Sequence, residues 1–419
     1  MTISQSRRIA ALGLTLLAPI IAYRQQHAIA NCMGLSAAED LSMTNKNKTT
    51  TLPAHHEPNG NGFVNPWPSF HHHAGLSVMK MMIEFQGNLP KINKDTKLPE
   101  IQSLDKGLIE TYSHPKKQEG AAEGDAKHGV VMTTWLGHAC FLVQLEGVNI
   151  LFDPVFSERC SPSQWAGPKR ITPPPCKLDE LPRIDIVIIS HNHYDHLDLT
   201  TIQNLQKDHK PYFYVPLGNK AWFDSIGIKS KVIECDWWDG HDHSFHNGKS
   251  AVKVTCTPCQ HFTGRSLTDK YKTLWASWVV QTIPKNESEK STKVFFGGDT
   301  GYRYVPKGAD EDEMPYCPAF KEIGNRFGPF DFSMIPIGAY SPRWFMSPVH
   351  CSPEDAVRLH EDIKSKRSVG MHWGTWVLTN EDVTEPPKRL EAAMRKRGHD
   401  PNTFDVIQIG ESLVVDAKL

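Results

Sequence analysis

The chain of 419 residues carries almost no net charge, with 46 Lys and Arg against 47 Asp and Glu and a formal balance of -1. Without a field of one sign, nothing in the composition draws a polyanion to the surface, and nucleic acid is not expected as a partner. Paired cysteine motifs are also missing. The nine cysteines are scattered and odd in number, so at least one thiol has no partner within the chain. Cys256-x-x-Cys259 stands without the second pair that a zinc site of that kind needs, and the segment reads instead as part of a strand. No internal repeat is visible. Long apolar runs are scarce: the stretch Ile9 to Tyr23 is short for a helix crossing about 30 Å of hydrocarbon. Arg7-Arg8 precede it and Ala28-Ile29-Ala30 follows like a small-residue cleavage site, so a signal peptide, a short anchor and a disordered tail all stay open for residues 1–30. The sequons Asn47-Lys48-Thr49 and Asn286-Glu287-Ser288 matter only if the chain enters the secretory lumen.

What is present is a core and a cluster. Apolar residues make up 39% of the chain, enough for a buried interior. Residues 31–62, rich in Asn, Thr, Lys and Pro, read as a disordered linker. Residues 63–128 read as an extension packing on a catalytic domain at 129–419. In the extension, His71-His72-His73 reads as a solvated loop, and Ser77 to Phe85 as a short helix with Met79, Met81, Met82 and Phe85 on its sticky face, either packing on the domain or facing a membrane. From Gly129 strands follow quickly at Val130 to Trp135, Cys140 to Leu145, Val148 to Phe152 and Ile184 to Ile189. Helices are expected at Pro353 to Asp362, after the start signal Ser352-Pro353-Glu354-Asp355, and at Pro387 to Arg397. An initial run of strands, then strands alternating with helices, predicts an α/β sandwich of two mixed sheets with outer helices.

Directly after the run Ile184 to Ile189, the segment Ser190-His191-Asn192-His193-Tyr194-Asp195-His196-Leu197-Asp198 holds three imidazoles and two carboxylates. Neutral imidazole and carboxylate suit zinc-like ions, and chemistry in α/β layers gathers at strand ends. In an extended loop His191 and His193 point the same way, while Asp195 and His196 can turn to a second ion. Asp198 is expected to cap a helix starting near Leu199. Further donors stand at later strand ends. His261 follows Val252 to Thr257, Asp299 follows Lys293-Val294-Phe295-Phe296 within Gly297-Gly298-Asp299-Thr300-Gly301, and His372 lies in Ser368-Val369-Gly370-Met371-His372-Trp373-Gly374.

In this order the residues resemble the metallo-β-lactamase superfamily, whose signature is His-x-His-x-Asp-His followed by separate His, Asp and His ligands. The resemblance implies a four-layer αββα sandwich with two Zn2+ per chain at one edge. His191, His193 and His261 would hold the first ion, Asp195, His196 and His372 the second, and Asp299 would bridge them. Motifs outside the ligands are similar to the N-acylphosphatidylethanolamine-hydrolysing phospholipase D family: Gly62-Phe63-Val64-Asn65-Pro66-Trp67-Pro68, Thr134-Trp135-Leu136-Gly137-His138, Ser161-Pro162-Ser163-Gln164, Gly167-Pro168-Lys169-Arg170 and Asp236-Trp237-Trp238. The same holds for Arg326 to Asp331, Ile337 to Met346 and His372 to Thr375.

That likeness implies a zinc phosphodiesterase releasing N-acylethanolamine and leaving phosphatidic acid, with Asp299, Asp195 and His350 in catalytic roles and His350 as the acid for the leaving group. The other reading of His350 is a structural residue before the helix at Pro353. Asp153 and His138 would support the ligands from behind, Asp153 alternatively forming an Asp-Pro turn. Tyr194, Trp344 and Trp373 would contact substrate, with Phe345, Met346 and Trp376 lining an acyl channel, or all would simply pack. Arg343 and Arg265 would meet phosphates or form salt bridges. The expected partners are a phospholipid and a membrane surface, with a homodimer left open. The expected location is an endomembrane with a cytosol-facing catalytic domain, attached peripherally or through the N-terminus, and secretory entry stays open. The rivals are another superfamily hydrolase, such as a lactonase or soluble-substrate phosphodiesterase, and an inactive lipid-binding scaffold. The polar insertion Arg303 to Tyr316, absent from the family pattern, reads as a surface loop or as a constriction of the entrance.

Overall fold

Short runs of β-branched and aromatic residues between turns form the framework. The computed structural model describes residues 52–114, 129–229, 231–266 and 268–417. Its first sheet contains β1 (Val130–Trp135), β2 (Phe141–Leu145), β3 (Val148–Phe152), β4 (Ile186–Ile188), β5 (Tyr212–Pro216), β6 (Val232–Cys235) and the C-terminal β14 (Ser412–Asp416), in the order β14-β1-β2-β3-β4-β5-β6. Its second contains β7 (Gly240–Phe245), β8 (Ser250–Thr257), β9 (Ser277–Thr282), β10 (Lys293–Phe296), β11 (Phe332–Pro336), β12 (Ser368–Met371) and β13 (Phe404–Asp405), in the order β13-β12-β11-β10-β9-β8-β7. Each sheet is antiparallel over one half and parallel over the other, the change falling at β3 in the first and β10 in the second.

The layers follow from side-chain alternation. Along β1 and β4, Val131, Trp135, Ile186 and Ile188 join a core shared with Val252, Val254 and Phe296 of the other sheet. Their neighbours Met132, Val187 and Ile189 join a separate core with Ile202, Leu205 and Phe223 of outer helices. Strands buried on both faces thus read as continuous apolar runs. The helix Leu199–Asp208 begins at Asp198, whose carboxylate accepts from Thr201 N. The helix Pro353–Asp362 begins at Ser352, which accepts from Asp355 N, with Pro353 and two acids in its first turn. Both starts were legible in the sequence.

Several expectations are corrected. Residues 52–62, assigned by composition to the linker, form a turn against the domain with His55 buried, because its imidazoles and backbone find fixed partners there; residues 1–51 lie outside the described residues. His71 and His72 are exposed in a loop, as expected, with the His71 ring against Tyr304 at 4.3 Å, whereas His73 is half-buried and stacks on Phe345 at 4.5 Å. The helix Leu76–Gly87 exposes Leu76 (81%), Met79 and Ile83 (75%), whereas Met81, Met82 and Phe85 are half-buried. The helix expected at 387–397 spans Glu385–Lys396. The insertion is tied down: Glu311 accepts from Arg343 at 3.0 and 3.1 Å, Asp312 pairs with Arg358, and buried Arg303 lies beside Asp355. No helix among the described residues is long and apolar enough to cross a membrane.

Leu205 is fully buried between its helix and the first sheet. Leu205→Ala should destabilise the fold by about 2–5 kcal/mol, read as a lower urea midpoint at an unchanged slope.

Candidate metal centre

Strands β3, β4, β8, β10 and β12 each end in a short loop, and these loops converge. Ser190–Asp198 follows β4, Gln260-His261 follows β8, Gly297–Asp299 follows β10 and His372 follows β12 directly. A rigid sheet fixes the loops, and the loops carry the donors. Gly298 adopts φ +56°, and a Cβ there would stand 2.6 Å from Ser190 Cβ. Only glycine lets the chain carrying Asp299 pass so close to the His191 loop.

All seven expected donors meet around the Asp299 carboxylate. Its Oδ2 lies 3.2 Å from His196 Nε2, 3.7 Å from His261 Nε2 and 3.8 Å from His191 Nε2, while Oδ1 lies 3.1 Å from His372 Nε2. Two groups emerge. His191 Nε2 is 2.8 Å from His193 Nδ1, which is 3.4 Å from His261 Nε2. Asp195 Oδ2 is 3.4 Å from both His196 Nε2 and His372 Nε2. His191, His193, His261 and Asp299 each offer one donor atom within 4.8 Å of the others, and so do His138, Asp195, His196 and His372.

Charge and hydrogen bonding both call for cations here. His196 Nε2, His372 Nε2 and Asp299 Oδ1 are buried without a hydrogen-bond partner of proper geometry. Burial holds the His191 and His261 imidazoles well below their usual range, so they are neutral donors. Burial opposes ionisation of Asp299, but His196 and His372 outweigh it and keep the carboxyl well below its usual range. Conversely, burial disfavours a charged His372, yet Asp299 and Asp195 raise it to about 9. Divalent ions held by these imidazoles would compensate the buried carboxylates, displacing the imidazole protons. The donor set, nitrogen and oxygen without thiolate, fits such ions.

Backing groups orient the donors. Asp153 Oδ2 lies 2.6 Å from His196 Nδ1, and Ser190 donates its N–H to Oδ1 at 2.7 Å and its hydroxyl to Oδ2 at 2.5 Å. Ser190 Oγ is also 2.9 Å from His191 Nδ1, so one carboxylate steers two imidazoles. Val349 O is 2.7 Å from His261 Nδ1, and Asn65 donates to His261 O at 2.7 Å. Ser190 and Asn65 were absent from the sequence-derived site. The motif at Asn65-Pro66-Trp67 was visible, but nothing in it named the residue it would touch.

The remaining candidates scatter. His138 stands among the donors themselves, its Nε2 3.1 Å from Asp195 Oδ2 and its ring 4.0 Å from that of His372. His350 is buried with Nδ1 unpartnered, its ring 5.1 Å from that of His261 and 5.4 Å from that of His372. Burial lowers its imidazole to about 4. Tyr194 carries the Arg265 guanidinium 3.9 Å above its ring and donates to Arg265 O at 3.2 Å, so each occupies the other. Trp344 donates to Glu84 of the N-terminal helix at 3.2 Å, and Trp373 stacks on Trp135 in the core. Arg343 is held by Glu311 and Asp355, with Nη1 3.5 Å from His350 O. A small pocket adjoins the centre, lined by His138, His372, Trp373, Trp376 and Leu378 among others. Cys256 and Cys259 are buried, which raises both thiols well above their usual range and denies an ion their thiolates.

A model of the β-lactamase superfamily domain matches residues 148–373. The N-acyl-phosphatidylethanolamine-hydrolyzing phospholipase D 1 of Caenorhabditis elegans is 39% identical over 290 residues, covering 67% of this chain and 75% of that one. The chain belongs to the β-lactamase superfamily and to this phospholipase D family. The mitochondrial N-acyl-phosphatidylethanolamine-hydrolyzing phospholipase D of Saccharomyces cerevisiae is 33% identical over 270 residues, covering 64% of this chain and 53% of that one. An isothiocyanate hydrolase from Delia radicum gut bacteria superposes with a TM-score of 0.49 at 19% identity, over 67% of this chain and 98% of that one. As a superfamily member with this donor set, the chain is a metal-dependent hydrolase.

Asp153→Asn keeps the size of the side chain but removes its charge and one of the two acceptor oxygens that fix His196 and Ser190. Metal affinity should fall about 10–100-fold, measured by competition with a chromogenic chelator.

Proposed function

We propose that the protein is a zinc-dependent, phospholipase D-type phosphodiesterase that cleaves N-acylphosphatidylethanolamine into N-acylethanolamine and phosphatidic acid at a membrane surface. The observation that carries the reading is the pair of adjoining donor sets, with Asp299 in the first and 3.2 and 3.1 Å from His196 and His372 of the second, joined to family membership at 39% identity. His191, His193 and His261 would hold one Zn2+, Asp195, His196 and His372 the other, with Asp299 between them. Two such ions supply an acidified water as nucleophile and positive charge for the phosphoryl oxygens.

The chain's own residues do the rest. Asp153 and Ser190 keep His196 and His191 in the tautomers that present Nε2. Asp195 and Asp299 fix the positions of the donor sets relative to each other. His350, beside His261 and His372, offers an N–H to the leaving oxygen, which as a poor alkoxide needs a proton or a positioned donor. A location on an endomembrane follows from the same reading, since the substrate resides in a bilayer.

Purified protein incubated with N-acylphosphatidylethanolamine should release phosphatidic acid, and a chelator should abolish that release. Turnover confined to soluble esters would instead favour the rival superfamily hydrolase. Asp299→Asn should lose both activity and bound metal. His350→Ala should keep its metal while turnover falls about 10²–10⁴-fold; unchanged turnover at full occupancy would remove it from the reaction.

A further inference from the structure

Away from the seven donors, His55 Nε2 lies 2.6 Å from Asp236 Oδ1 and His56 Nε2 lies 2.7 Å from Asp236 Oδ2. One carboxylate thus receives a separate imidazole on each oxygen, across some 180 residues of chain. Each of the three side chains offers one donor atom within 4.8 Å of the others, the closeness found in the main centre. Exposure rises from 8% at the His55 side chain to 18% at His56 and 23% at Asp236, so one flank of the group opens to solvent.

The group is held in place by contacts other than its own. His55 stacks on Trp237 at 4.2 Å, Trp237 stacks on Trp67 at 5.4 Å, and the His56 ring meets Phe63 edge-on at 5.0 Å. Val64 N bonds to His55 O and Glu57 N to Gly62 O, closing the turn that carries both histidines, and Phe63 N bonds to Tyr271 O. On the other side Asp236 N is held by Asp239 Oδ2, and Trp238 N by Cys256 O. Among the described residues no lysine or arginine pairs with Asp236. Burial opposes its ionisation, but the two imidazoles outweigh burial and keep the carboxyl below its usual range.

We infer that His55, His56 and Asp236 form a second, independent metal site for a borderline divalent ion of the Zn2+ class. Two imidazole nitrogens and one carboxylate oxygen are the three-ligand set that leaves coordination positions for water, and the open flank gives water that access. The site joins the segment before the extension to the end of β6. From His55 the chain runs through Phe63 to Asn65, which bonds to the backbone of His261, and to Ser69, whose hydroxyl donates to Gln260 at 2.6 Å. An ion here would pin the strap that braces the His261 side of the main centre.

The test counts metal on the full chain, purified without a histidine tag and desalted after equilibration with a slight excess of Zn2+. Elemental analysis should find one ion more per chain in the wild type than in His55→Gln/His56→Gln, with the circular dichroism spectra superimposable. Asp236→Asn should also lose one ion, although the amide can still hydrogen-bond to an imidazole. Because the readout is a difference between proteins, it stands whatever the occupancy of the main centre. Equal counts in wild type and either variant would overturn the site, reducing the three residues to a hydrogen-bonded contact. If the double variant does not fold, the comparison rests on Asp236→Asn alone.

Discussion

The Asp299 carboxylate, buried with four imidazole nitrogens within 3.8 Å, is the constraint around which the molecule is arranged. An ionised group withdrawn from water is costly unless positive charge or hydrogen bonds compensate it. Here four imidazoles surround the carboxylate, and divalent cations held by them would supply the compensating charge. The same scarcity of water that makes the carboxylate expensive makes its hold on cations strong, and makes any charge developing on a substrate more responsive to them.

Such a centre needs support that does not yield, and the fold supplies it from three directions. The two sheets deliver donors from the ends of β4, β8, β10 and β12, so no single loop sets the geometry. Asp153 at the end of β3 fixes His196 directly and His191 through Ser190. Residues 63–70, outside the sandwich, reach Gln260 and the His261 backbone, making the extension part of the wall behind the site. The insertion at 303–316 is bound through Arg343 to the segment before His350 and through Asp355 and Arg358 to the helix after it, so its acidic residues Glu311 and Asp312 neutralise neighbouring guanidinium groups.

Much of the site was legible because its grammar is local. Three imidazoles and two carboxylates in nine residues after an apolar run carry their meaning wherever the chain is read, and the Asp198 and Ser352 caps are equally local signals. Strands such as β5, β9 and β11 were less visible, since a short apolar run buried on both faces has no alternation to mark it. His73 and the linker ending at residue 62 were misjudged for one reason: polarity predicts exposure only when no aromatic partner or distant carboxylate waits for the imidazole. Tyr194 and Arg265 point the same way, two plausible phosphate contacts that occupy each other.

The sequence by itself determined the donor chemistry, nitrogen and oxygen without thiolate, and the alternation of elements that makes a layered α/β fold, because both follow from residue type and short-range order. The tertiary structure decided which donors share a carboxylate, which imidazoles are neutral, and that His55 and His56 meet Asp236. Those outcomes depend on distance and burial between residues up to about two hundred positions apart, and neither quantity exists until the sheets have closed on each other.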